Sequence, residues 1–78
     1  MKTTAYFEAM RLRTDRVGIK LEWIIHVVGF PEVQQVQADG RIRRWARIPD
    51  AQDRWLRVVL LSDGDTIHNA FFDRRFTP

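Results

Sequence analysis

WLRVVLLSDGDTIHNAFF, residues 55–72, decides the fold. Trp55–Leu61 is rich in large and β-branched apolar residues, Asp63-Gly64 is a two-residue turn signal, and Thr66–Phe72 runs back. That pattern predicts an antiparallel hairpin. With Asp63-Gly64 as the turn, Leu61 faces Thr66, Leu60 faces Ile67, Val59 faces His68, Val58 faces Asn69, Arg57 faces Ala70, Leu56 faces Phe71 and Trp55 faces Phe72. One face then holds Leu56, Val58, Leu60, Ile67 and Phe71 and is the core face. The other is mixed, with Trp55, Arg57, Val59, His68, Ala70 and Phe72.

Working outward, Val33 and Val36 with the intervening glutamines predict a strand, Asp39-Gly40 a second tight turn, and Arg41–Ile48 its return. Pro49–Asp53 reads as the loop into the hairpin. A register that sets Arg47 opposite Trp55 puts Trp45 against Arg57 and Arg43 against Val59. Arg41, Arg43, Trp45 and Arg47 then join the mixed face. Arg44 points to the core side and must reach out past a sheet edge or a helix end.

Before Pro31 the texture is helical. Thr4–Arg13 places Phe7 and Met10 at helical spacing. In Lys20–Val28, Leu21, Ile24, Ile25 and Val28 form a stripe, with Gly29 as a C-terminal stop and Pro31 beyond it. The expected fold is α+β, a single domain over residues 1–78. Two N-terminal helices pack on a twisted four-stranded antiparallel sheet.

With 78 residues and no cysteine, such a domain buries only about 60% of its unfolded surface. Three Trp, five Phe and one Tyr supply large buried area, and a homodimer would add more. Trp23–Phe30 is too short for the ~20 residues of a membrane span. Glu8 and Arg11 stand where a signal peptide needs apolar residues. The expected location is cytoplasmic.

Thirteen Lys and Arg against ten Asp and Glu leave a net charge of +3. The charge is uneven: residues 41–57 carry six arginines against Asp50 and Asp53. A basic face points to RNA as partner. On the mixed face, Arg41, Arg43 and Arg47 are candidate phosphate ligands, because a guanidinium is a fork of donors. Trp45 and Trp55 are candidate stacking planes for unpaired bases. His68, with Arg57 beside it, is the candidate catalytic group, because imidazole moves protons near neutral pH. RNA cleavage through its own 2′-hydroxyl needs mainly positioning, proton transfer and positive charge. The other readings of this face are a binding module without catalysis and a homo-oligomeric adaptor that buries Trp45 and Trp55 in an interface. No glycine-rich phosphate loop, metalloprotease motif, nucleophile elbow or Cys/His cluster occurs, so neither a metal nor a cofactor is expected.

Three front segments, Phe7-Glu8-Ala9-Met10-Arg11, Asp15-Arg16-Val17-Gly18-Ile19 and Glu22-Trp23-Ile24 running to Pro31, resemble the helical half of the DUF4258 family. Asp39-Gly40-Arg41, Leu56-Arg57-Val58-Val59 and Thr66-Ile67-His68-Asn69-Ala70 are similar to its small curved sheet. The chain differs at Tyr6-Phe7, where that family carries a histidine, and its Arg16–Ile19 step is one residue longer. The resemblance implies a relation to the compact toxins of toxin–antitoxin systems, the RelE and ParE group. With it come RNA as a substrate and an antitoxin-like protein partner.

Overall fold

In the computed structural model, which describes residues 1–78, Arg54–Leu60 (β4) and Thr66–Phe72 (β5) form the expected hairpin. Asp63 closes its turn: Oδ1 accepts from the backbone N–H groups of Asp65 and Thr66, both at 2.9 Å, and Oδ2 accepts from the Thr66 hydroxyl at 2.6 Å. Gly64 takes φ +70°, a conformation that favours glycine. Upstream, Val33–Val36 (β2) and Ile42–Ile48 (β3) pair antiparallel, and β3 pairs with β4 in the expected register, Arg47 opposite Trp55 and Trp45 opposite Arg57. Arg41 lies just outside β3.

Two features depart from the expected sheet. The first is a fifth strand. Lys2–Thr3 (β1) pairs parallel with β5, so the sheet is mixed, in the order β1-β5-β4-β3-β2. Thr4 holds extended backbone, φ −86° and ψ 160°, because its hydroxyl caps the following helix at Phe7 N, 3.0 Å away. The residues before the cap are thereby led along the β5 edge, and Thr4 N donates to Ile67 O at 3.0 Å.

The second departure is a bulge. Leu60 faces Ile67 as expected, but Val59 faces Asn69, Val58 faces Ala70, Arg57 faces Phe71 and Leu56 faces Phe72. His68 is the extra residue. Beyond it the alternation inverts: Ala70 and Phe72 turn to the core side, and Asn69 and Phe71 to the outer face.

Helix Ala5–Met10 (α1) is shorter than the expected Thr4–Arg13, and Leu21–Gly29 (α2) runs one residue later than Lys20–Val28. The α2 stripe is also rotated. Ile24 and Val27 are buried, Trp23 and Val28 flank them, and Ile25 is exposed. Gly29 is the last helical residue instead of a left-handed stop. Arg44 reaches the helix end. Its Nη1 donates to the Val28 carbonyl at 2.8 Å, while Nε donates to Gln34 at 2.8 Å. The core gathers Phe7 of α1, Ile24 and Val27 of α2, and Ala46, Ile48, Leu56, Val58, Leu60, Ile67 and Ala70 of the sheet.

Leu56 is completely buried. Leu56→Ala is expected to cost about 2–5 kcal/mol, a large part of the ~5–15 kcal/mol typical of a whole domain, read by urea denaturation. Asp63 is held at about 2, below its ordinary 3.8, by its bonds to Thr66 and Asp65. A depressed carboxylate stabilises the fold above its unfolded pKa and loses that contribution as pH falls toward the folded value. Asp63→Asn should therefore lower Tm at pH 7, with the gap to wild type closing between pH 3.8 and about 2.

Candidate functional site

The bulge turns both His68 and Asn69 to the outer face of the sheet, where a local alternation would show only one of them. Beside them the parallel strand brings Thr4, and the first turn of α1 brings Tyr6. Across β4 and β3 lie Arg57 and Arg43, and Arg41 closes the top. Tyr6, His68, Asn69 and the three arginines, together with Gln37, line an open cleft of about 370 Å³, with Thr4 behind the imidazole.

His68 is firmly placed in it. Nδ1 lies 3.0 Å from Thr4 Oγ1, and the Tyr6 ring stacks on the imidazole with centroids 4.8 Å apart. Nε2 has no partner within the chain. Partial burial, and secondly the Arg41 charge, hold the imidazole below its ordinary 6.5. At neutral pH it is therefore uncharged and able to accept a proton.

The arginines are unequally satisfied. The Arg57 guanidinium lies 4.5 Å from the Phe71 centroid and 5.9 Å from that of Trp45. Its Nη1 is 3.6 Å from Asp73, and its buried Nε has no hydrogen-bond partner. Burial, followed by repulsion from Arg43, lowers its pKa against the pull of Asp73. Arg43 meets only amides: its Nη1 donates to Gln35 Oε1 at 3.3 Å, and with the amide of Gln37 turned oxygen-inward its Nε donates there at 2.9 Å. Arg41 faces Asp39 at 3.7 Å, an exposed pair of the kind that contributes little. The cleft thus carries a surplus of positive charge around a neutral imidazole.

Of the residues singled out in the sequence, His68, Arg57, Arg43 and Arg41 converge. Arg47, Trp45 and Trp55 do not. Arg47 is at the far end of β3, tied to Glu32 at 3.0 Å and lying over Trp55. Trp45, a candidate stacking plane, is only 4% exposed. Phe76 stacks on it at 4.5 Å, and its Nε1 donates to Asp73 at 3.1 Å. Trp55 is half-buried, edge-on to the same Phe76 at 5.0 Å. The aromatic face is therefore closed by the chain's own C-terminal segment. Asn69, expected on the core face, instead accepts from Arg16 at 2.7 Å at the β5 edge.

Sequence reasoning missed Thr4, Tyr6, Gln37 and Phe76, whereas Asp73, expected to pair with an arginine, stands beside Arg57 of the neighbouring strand. Only Thr4 carries a local signal, as a helix N-cap before an apolar residue. No protein-family model, curated protein or solved structure matches this chain. No three His, Asp or Glu side chains converge in a way that could hold a metal ion, and no helix is long and apolar enough to cross a membrane.

Phe76→Ala should remove the cover from Trp45 and Trp55. The expected result is red-shifted tryptophan emission, easier acrylamide quenching and a loss of about 1–3 kcal/mol in stability.

Proposed function

We propose that this protein binds single-stranded RNA on the outer face of its sheet and cleaves it without a metal ion. One observation carries this reading: a neutral imidazole and three guanidiniums, Arg41, Arg43 and Arg57, line one concave cleft. A binding surface needs the cations alone, whereas a proton-transfer group set among them suits phosphodiester chemistry.

The cations take the scissile phosphate. Arg43 has no carboxylate to leave, and Arg57 lies beyond hydrogen-bond distance of Asp73, at 3.6 Å, which makes a phosphate oxygen a favourable partner for both. With Nδ1–H donated to Thr4 Oγ1, His68 holds its Nε2 lone pair ready for the 2′-hydroxyl proton. The freed 2′-oxygen attacks phosphorus, the bond to the 5′-oxygen breaks, and that oxygen leaves with a proton from water at the open mouth, the hydroxide so formed taking up the proton held by His68. The products are a 2′,3′-cyclic phosphate and a 5′-hydroxyl. The arginines offset the charge that builds on the phosphorane oxygens. Tyr6 and Thr4 keep the imidazole from turning away. A cytoplasmic location and an antitoxin-like partner that shields the cleft belong to the same reading. Burial of Trp45 under Phe76 weighs against an adaptor assembled through that tryptophan.

The test is cleavage of a mixed-sequence single-stranded RNA in EDTA. His68→Asn keeps an amide near the Nδ1 position and removes Nε2. It should retain the fold by circular dichroism and lose cleavage by about 10²–10⁴-fold. The wild-type rate should be level at neutral pH and fall on acidification below 6.5, as the depressed imidazole gains its proton. Equal cleavage by the two proteins would overturn the role of His68. RNA binding without cleavage would make the domain a binding module.

A further inference from the structure

Arg43 and Arg57 line not one hollow but two. On the side away from His68 they border a second, shallower depression of about 520 Å³, walled by Gln35, Trp45, Arg75 and Phe76. The two hollows are neighbours along the strands. Arg43 and Trp45 are two residues apart on one face of β3, a step of about 7 Å.

We infer that this second depression is a subsite for a flanking nucleotide of the same RNA strand, with Arg75 holding its phosphate; the inference rests on the reading of the first cleft as an RNA site. The charges fit that occupant. Arg75 is exposed and forms no ion pair, and neither does Arg43. Asp73, the one carboxylate in the depression, is already taken up. It accepts from Trp45 Nε1 and from the backbone N–H of Arg75, and it stands beside Arg57. The remaining wall combines an apolar ring, Phe76, with the amide of Gln35, the pairing of flat apolar and hydrogen-bonding groups that an unpaired base accepts. A single phosphate seated between Arg43 and Arg57 would then be the junction of the two nucleotides.

The test compares two probes on the full chain by calorimetry: uridine 5′-monophosphate, and a 2′-O-methyl tetrauridylate that cannot be cleaved. Wild type should bind the tetramer at least about tenfold tighter than the monophosphate, as one more stacked base and one more charged contact require. Arg75→Glu, which changes an exposed side chain at a residue that bonds Asp73 through its backbone N–H, should weaken the tetramer about tenfold and leave the monophosphate within about twofold. Arg43→Gln should weaken both. Tetramer binding by Arg75→Glu at wild-type strength, while Arg43→Gln is impaired, overturns the second subsite and leaves the first site standing. Equal wild-type affinity for the two probes does the same. Failure of wild type to bind either probe overturns the RNA reading itself, and the subsite with it.

Discussion

A single extra residue in β5 governs both the core and the site. Without the bulge at His68, Phe71 would face the helices and Ala70 would face outward. With it, Ala70 and Phe72 turn inward, and Phe72 meets the edge of Trp23 on α2 at 6.1 Å. The smaller residue falls within the core, and the larger one packs against it from the rim. On the outer face the same slip sets Phe71 beneath Arg57 and puts His68 and Asn69 side by side. A bulge costs ladder hydrogen bonds, and here Thr4 and Arg16 bond to the side chains it displaces.

The N-terminal strand is what turns a displaced histidine into a positioned one. Thr4 does three things with one residue: its backbone N–H extends the sheet, its hydroxyl caps α1, and the same hydroxyl meets Nδ1 of His68. The helix end, the sheet edge and the imidazole are thus fixed relative to one another. Arg57 shows the opposite economy. It lies against two aromatic rings with one N–H unsatisfied and a carboxylate beyond hydrogen-bond distance. That arrangement gives up stability and leaves a cation with unspent capacity for an anion.

The register of β3 against β4 came out as expected, with Arg47 opposite Trp55, although the length of the loop left it free and Arg44 fell on the core side. Arg44 was legible too, as a charged residue forced to the core side, and its solution follows from geometry: the α2 terminus, with its unpaired carbonyls, lies within reach. What covers Trp45 was not legible. Its cover, Phe76, is thirty-one residues away in sequence and lies in a segment with no periodicity.

By itself the sequence determined what local chemistry controls. The two turns, the antiparallel hairpins, a helix before Pro31 and a row of arginines on one sheet face all follow from alternation, turn residues and helical spacing, which act within a few residues. Tertiary structure decided the rest: the parallel pairing of Lys2–Thr3 with β5, the slip at His68, the rotation of α2 about its axis, and the Phe76 cover. Each is a choice among packings of almost equal local cost. β5 can continue its alternation or skip one residue, and α2 can present Ile25 or Val27, with similar apolar patterns either way. The choice falls to the arrangement in which all the faces fill one core together, and that sum exists only once the whole chain is folded.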